Sequence, residues 1–322
     1  MRWRLRQFLA IAGLTALEAV RQPITLLIAA TGVVGIGLLP LVITHTLGEG
    51  DKLVRDSGLA FHLVSGLVLG CYAACSSLAQ EIRRGTVSSV LSKPVGRELF
   101  FLAKFCGIAF VMVLFSAAAG AAVVMSTRTA ANLFFPDWWS GAPLLAAPPL
   151  AFAAAGTINY LRRRPFVSTA FGLLLAALAI AFVVSGMLDA GGRLVPFGTL
   201  YSWKTVPATA LVLLATLVLT GIAVSLAIRL DTVPTLSICS VIFLVGLMSD
   251  YLFGRHAGSS RLAAGLYRLL PNGQHFWVAD ALTGDGAIPW AYVARAALYA
   301  AFYLAGVLSL GMIAFRHMEV RS

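Results

Sequence analysis

Long apolar runs recur along the whole chain and constrain its fold more than any other feature. A helix needs about 20 apolar residues to cross a hydrocarbon core of about 30 Å, and runs of about that length appear repeatedly. Composition agrees, because 59% of the residues are hydrophobic and 11% are charged, whereas soluble domains carry about 25% charged residues. With a mean hydropathy of +0.89, the sequence predicts an integral membrane protein and excludes soluble enzymes and disordered proteins.

About eight membrane spans are predicted, which makes the fold an all-α polytopic membrane protein with a single transmembrane domain over 1–322. Pro148 and Pro149 predict a kink or a break in the fourth span. Arg295 lies within the last span and is expected to snorkel outward. The predicted spans are Ile24–Thr44, Leu59–Ala79, Phe101–Ser126, Pro143–Tyr160, Phe166–Leu188, Val206–Ile228, Val233–Ser249 and Pro289–Phe315.

The first residues form a basic, apolar segment with two interpretations. Arginines precede the apolar run Phe8–Leu14, as in a signal peptide, but Thr15, Glu18 and Arg21 interrupt that run. A signal peptide needs an unbroken apolar core and a small-residue cleavage site. We therefore favour an amphipathic interfacial helix over residues 1–22, anchored at the lipid headgroups.

Basic residues set the predicted orientation of the spans. An even number of spans puts both termini on one side, and most lysines and arginines, including the Arg162–Arg164 turn, fall on that side. Lys52 and Arg193 fall on the other side. Because cytoplasmic loops carry the excess of basic residues, both termini are expected in the cytoplasm, beneath the cell (inner) membrane. The net charge of +11 then suits anionic lipid, and no nucleic-acid partner is expected.

Residues at membrane depth give no sign of catalysis or ion coupling. None of the 13 carboxylates falls in the middle of a predicted span, although ion-coupled carriers depend on such groups. Hydrolytic motifs and the phosphate-binding Gly-x-x-x-x-Gly-Lys-Ser/Thr motif are absent. Cys71 and Cys75 share a helix face, but His62 is more than two turns away, so close packing explains them better than a metal site. No cofactor and no enzymatic activity are expected in this chain.

Gly66 and Gly70, in the second span, have the Gly-x-x-x-Gly spacing that lets two helix backbones approach closely in lipid. The spacing predicts a helix contact, either within the chain or across a dimer.

A long outer segment, 254–286, precedes the last span. Its residues Arg261–Leu270 form the pattern of a short amphipathic helix, and His275–Leu282 that of a second one. We expect two interfacial helices anchored by Phe276 and Trp277. An external gate is the alternative interpretation.

A polar insert at 80–98 separates the second and third spans and is longer than a turn needs. Apolar residues recur in it at helical spacing, namely Ile82, Val87, Val90 and Leu91. Pro94 ends this pattern before Arg97 leads into the next span. The pattern predicts a short amphipathic helix at the cytoplasmic surface, and a helix that only rests on lipid headgroups is the alternative to a docking element.

The insert resembles the intracellular loop of the membrane subunits of ABC exporters of the second type. That loop reads Glu-x-x-x-Gly-Thr, then a Leu-rich turn, then Pro and Arg, and it is the coupling helix that docks on a separate ATPase. The matching residues here are Glu81, Gly85, Thr86, Leu91, Pro94, Arg97 and Lys104. The resemblance implies partner-binding roles, and none in catalysis, for Glu81, Gly85, Thr86, Leu91, Lys93, Pro94 and Arg97.

What the resemblance implies for function is an exporter permease that works as a pair, with a second copy or a homologous permease. ATP and Mg²⁺ would then belong to the ATPase subunit. Eight spans depart from the six that are usual in this family. The alternative function is a membrane scaffold or assembly factor that transports nothing and docks a soluble partner.

Overall fold

Helices build most of the described part of the chain, and no residue described in the computed structural model lies in a β-strand. The structure describes residues 2–43, 49–83, 96–131, 136–256, 258, 260–283 and 286–317. Its helices are α1 Arg2–Arg21, α2 Pro23–Val42, α3 Gly50–Ala74, α4 Arg97–Thr129, α5 Trp138–Arg162, α6 Phe166–Gly186, α7 Thr205–Leu226, α8 Thr232–Leu247, α9 Ser249–Leu252, α10 Arg261–Leu269 and α11 Trp290–Arg316. A π-helical turn at Cys75–Ala79 and a last turn at Gln80–Arg83 continue α3.

Within the described residues, seven helices are long and apolar enough to cross a membrane, namely α2, α3, α4, α5, α6, α7 and α11. The pair α8 and α9 makes an eighth span if it is counted as one, although the chain bends by 69° between them. With 16 residues, α8 is only about 24 Å long. The predicted all-α polytopic membrane fold is therefore confirmed, with the seventh predicted span shorter than a full crossing.

The fourth predicted span is longer than expected and is not broken. Helix α5 runs without interruption through Pro148 and Pro149, although each proline removes a backbone donor. Neighbouring helices stabilise such a helix in a membrane, and α5 packs along α6 and against α2. The buried face of α5 includes Leu144, Ala147 and Ala151, so packing outweighs the lost hydrogen bonds.

Contacts between helix ends show which segments share an end of the bundle. The Arg97 guanidinium, at the start of α4, donates to the Arg316 carbonyl at the end of α11, and Trp3 of α1 lines the same cleft as Arg316. At the opposite end of α4, Arg128 contacts the carbonyl of Ser185 at the end of α6. We call these the proximal end and the distal end. The start of α1, the end of α11 and the turn between α5 and α6 thus lie at the proximal end.

The centre of the bundle consists of α3, α4 and α7, which bury most of their surface, whereas α6 and α11 remain largely exposed. The two glycines of the Gly-x-x-x-Gly pair are in this centre. A Cβ atom on Gly66 would lie 2.7 Å from Thr216 Cγ2 of α7, and one on Gly70 would collide with Thr220. The predicted close contact is therefore confirmed, and it lies within the chain.

The segment 254–286 differs in part from its prediction. The first amphipathic helix is present as α10, but His275–Leu282 is not one helix, because separate 3₁₀ turns cover Gly273–His275 and Ala279–Leu282. Phe276 is buried in the bundle instead of anchoring the segment in lipid. The cause is a close backbone contact, since a Cβ atom on Gly246 would lie 2.5 Å from the Pro271 carbonyl oxygen. This contact draws the segment into the bend between α8 and α9.

Candidate coupling site

Two of the predicted partner-binding residues, Glu81 and Arg97, belong to the described structure. Glu81 lies in the last turn of α3, and Arg97 is the first residue of α4. The two ends of the predicted 80–98 helix thus continue the span helices α3 and α4, and the rest of that helix lies outside the described residues. The other predicted residues lie outside the described residues: Gly85, Thr86, Leu91, Lys93 and Pro94.

A buried lysine ties Glu81 into the bundle. Lys104 lies two turns into α4 and is 3% exposed. Its Nζ atom is 2.7 Å from Glu81 Oε1 and 3.3 Å from Ser77 Oγ, and 3.5 Å from Glu18 Oε2. The contacts with Glu81 and Ser77 are hydrogen bonds, and the contact with Glu18 is a longer ion pair. We call Glu18, Ser77, Glu81 and Lys104 the proximal network.

Close helix contacts place these residues together. A Cβ atom on Gly107 would lie 2.5 Å from the Ala12 carbonyl oxygen of α1, so only glycine lets α1 approach α4 this closely. The small residues Thr15 and Ala19 of α1 are buried in this contact, while several of its leucines remain exposed. The predicted interfacial helix is thus present at Arg2–Arg21, and one face of it packs on the bundle.

The proximal network is open to water on one side. Glu18 is 53% exposed and Glu81 is 27% exposed. A polar cleft of about 390 Å³ adjoins them and is lined by Gln22, Ser76 and Gln80 as well. The π-helical turn before Gln80 contains Ser77, and such turns are frequent at functional sites. Within the proximal network itself, two carboxylates surround one ammonium group.

The distal end of α4 holds a second buried cation, Arg128, which lies two residues beyond the predicted span Phe101–Ser126. Arg128 has a side chain 2% exposed, and its Nε and Nη2 atoms each lie 2.8 Å from Asp137 Oδ2. Its remaining donors bond to the carbonyl oxygens of Ser185 and Leu188. The guanidinium lies 5.6 Å from the centre of the Tyr201 ring. We call these residues the distal network.

Further hydrogen bonds complete the distal network. Asp137 also accepts from the Trp139 backbone amide and so caps α5. Tyr201 Oη lies 2.5 Å from Ser185 Oγ and 2.6 Å from the Phe182 carbonyl oxygen. Burial, as the largest cause, raises the pKa of Tyr201 above its ordinary value. Through these contacts, Arg128 links α4, α5 and α6 and stabilises their packing at the distal end.

His62, which the sequence places more than two turns from Cys71, is a titratable residue at membrane depth. His62 of α3 is fully buried, and its Nε2 atom lies 2.8 Å from Ser116 Oγ of α4. Its Nδ1 atom has no hydrogen-bond partner within the described part of the chain. Phe115 packs edge-on against the ring. The residues that the structure describes contain no group of three His, Cys, Asp or Glu side chains that could hold a metal ion.

The fold and these networks define a multi-pass helical membrane protein whose buried charges lie near the two ends of its spans. Comparisons with protein-family models, with curated proteins and with solved structures find no match.

Proposed function

We propose that the chain is the membrane permease subunit of an ATP-binding cassette exporter, and that the segment between α3 and α4 docks on a separate ATPase subunit. The permease works as a pair, with a second copy or a homologous chain. Its termini and the 84–95 connection face the cytoplasm of the cell membrane, in agreement with the excess of basic residues at the proximal end.

The observation that carries this proposal is the proximal network together with the length of the 84–95 connection between α3 and α4. Glu81 and Lys104 join the end of α3 to the start of α4 by a 2.7 Å ion pair. Helices held this closely need a connection of about 2–8 residues, but residues 84–95 number twelve. Residues in excess of what closure needs support a role for this segment in contact with a partner.

The geometry refines the role of Glu81. The sequence left open whether its carboxylate orients the loop or meets the ATPase, and its ion pair with Lys104 supports the first role. Glu81 is then a positioning residue that fixes the base of the connection. Direct contact with the ATPase falls to Gly85, Thr86, Leu91, Lys93 and Pro94, with Arg97 at the membrane end.

The energy source belongs to the partner. The sequence has no phosphate-binding loop, so ATP and Mg²⁺ bind to the ATPase subunit, and this chain contributes no catalytic residue. Nucleotide-driven closure of the ATPase pair then moves the docked segments and changes access to the transport pathway.

The test is reconstitution with the ATPase encoded by a neighbouring reading frame. We expect the purified chain alone to bind labelled ATP no better than an empty detergent micelle, and the co-expressed pair to purify together and hydrolyse ATP. Saturable micromolar ATP binding by the chain alone would contradict the proposal. Stable assembly with a soluble protein that lacks a phosphate-binding loop would instead support the scaffold function.

A further inference from the structure

Three arginines from three different helices meet in one cleft at the proximal end. Arg4 lies near the start of α1, Arg97 begins α4 and Arg316 ends α11, and together they line a cleft of about 600 Å³. Trp3 and Glu98 lie on its wall. Among the described lining residues, basic side chains thus outnumber acidic ones, and Arg4 and Arg316 are exposed.

The cleft lies at the depth of the lipid headgroups. Arg97 and Arg128, near the two ends of α4, are 31 positions apart in the sequence, which corresponds to about 46 Å along a helix. A bilayer with its headgroup layers is about 40–45 Å thick, so the two arginines lie at opposite headgroup layers. Trp3 at the cleft is 68% exposed, and indole rings favour this layer of a membrane.

We infer that this cleft binds the phosphate group of an anionic phospholipid. A guanidinium offers a planar fork of donors that matches phosphate oxygens, and Arg4 and Arg316 both line the cleft and are exposed. The Arg97 guanidinium donates to the Arg316 carbonyl oxygen at 2.9 Å and holds two walls of the cleft together. Lipid acyl chains can then lie along α1, whose leucines are exposed.

Gly96 gives the ligand room at the base of the cleft. A Cβ atom on this residue would meet no atom within 4 Å, so the first turn of α4 is accessible from the cleft. A bound phosphate would tie together α1, α4 and α11, which come from distant parts of the sequence. This site needs no ATPase subunit, and its existence does not depend on the proposed transport function.

The experiment titrates the full-length chain in detergent with phosphatidylglycerol and with phosphatidylcholine, and counts bound lipids by native mass spectrometry. The test variant is Arg4→Gln with Arg316→Gln. The matched control is Arg162→Gln with Arg164→Gln, which removes two exposed arginines at the same end of the bundle and outside the cleft. A single Arg4→Gln variant gives an independent measurement should the double variant fold poorly.

We expect wild type to bind phosphatidylglycerol more tightly than phosphatidylcholine. Each arginine contributes about 1 kcal/mol to such binding, so the double variant should weaken it roughly 30-fold and Arg4→Gln alone about fivefold. The control pair should bind as wild type does. Phosphatidylglycerol should raise the melting temperature, and inorganic phosphate alone should not.

Four results would overturn the inference. The first is an equal loss of phosphatidylglycerol affinity in the test and control variants, and the second is equal affinity of wild type for the two lipids. The third is thermal stabilisation by inorganic phosphate alone. The fourth is that Arg4→Gln with Arg316→Gln loses a co-purifying protein while its lipid binding is unchanged. The third result would assign the cleft to a soluble anion, and the fourth would assign it to a protein contact.

Discussion

Each end of α4 buries one cation, and the two ends compensate this positive charge in different ways. Lys104 and Arg128 are 24 positions apart, or about 36 Å along the helix, so they lie near the two boundaries of a hydrocarbon core about 30 Å thick. Arg128 is sealed, with its carboxylate partner 9% exposed. Lys104 has two carboxylate partners, and one of them is 53% exposed.

This difference shows that a buried charge near a membrane boundary can either fix neighbouring helices or leave them able to move, depending on how its partners are solvated. At the distal end, carbonyl oxygens and a carboxylate fix every part of the guanidinium, so the helices can separate only at a large electrostatic cost. At the proximal end, the carboxylates reach water and can exchange partners at a lower cost. The proximal end is therefore the end at which a docked partner could move helices.

The largest expected effect is the loss of Arg128. Arg128→Gln leaves Asp137 buried without its cation, and breaking a buried ion pair costs about 3–5 kcal/mol. We expect a large fall in melting temperature, measured by size-exclusion chromatography of heated samples in detergent. Arg193→Gln, an exposed arginine at the same end, is the control and should change little. Adding Asp137→Asn to Arg128→Gln should recover part of the lost stability.

A smaller effect is expected where α1 meets α4. Gly107→Val places a side chain against the Ala12 carbonyl, and overpacking of this kind costs about 1–3 kcal/mol. Gly172→Val is the matched control, because a Cβ atom on Gly172 would meet nothing within 4 Å. Protease accessibility of α1 should rise in the first variant and not in the second. Equal behaviour of the two variants would mean that α1 is not held by this contact.

Loss of the proximal cation should cost less than loss of the distal one. Lys104→Gln removes an ion pair whose carboxylates are partly solvated, so we expect about 1–2 kcal/mol. Thermal unfolding of Lys104→Gln and Arg128→Gln under identical conditions compares the two ends directly. If Lys104→Gln proved the more damaging variant, the proposed contrast between an open and a sealed network would fail.

The smallest effect concerns the segment that closes the distal side of α8. Tyr267 donates to Asp250 Oδ1 at 2.8 Å, so Tyr267→Phe should cost about 1 kcal/mol. Tyr251→Phe is the control, since this exposed ring stacks with Arg255 through its face.

The stabilising effect of Tyr267 is also expected to depend on pH. The hydrogen bond to Asp250, as the largest cause, raises the pKa of Tyr267. A group whose pKa is raised on folding stabilises the protein below its ordinary pKa of about 10, and that stability is lost as pH rises through the raised value. The difference in melting temperature between wild type and Tyr267→Phe should therefore stay constant from neutral pH to about pH 9 and shrink at higher pH.

Much of the fold could be predicted, because each long apolar run indicates a membrane span. The predicted ends of the spans were less accurate, because an uncharged run ends at the first charged residue, whereas the helix continues past it. Arg128 is the clearest case, because its partners are supplied by residues on α5 and α6 that only the tertiary structure brings near. The tertiary contacts of Arg128 thus let α4 continue through a charged residue at which the apolar run ends.

The candidate site was predictable only in part. Glu81 and Lys104 both belong to the pattern that resembles exporter permeases, but nothing in their spacing shows that they pair with each other. Glu18 is 86 positions before Lys104 and joins them only because Gly107 lets α1 approach. Long-range contacts of this kind depend on packing geometry, which local sequence patterns do not encode.

The most direct test of a docking role for the 84–95 connection compares a glycine of that connection with a glycine from the segment after α9. Gly85→Trp changes the connection, and Gly258→Trp changes the segment after α9, where a Cβ atom would meet nothing within 4 Å. The neighbouring ATPase is recovered by pull-down on the tagged permease, at matched permease levels. Because a desolvated interface contact is typically worth about 2 kcal/mol or more, we expect recovery with Gly85→Trp to fall at least tenfold and recovery with Gly258→Trp to match wild type. Undiminished recovery with Gly85→Trp would contradict the docking role.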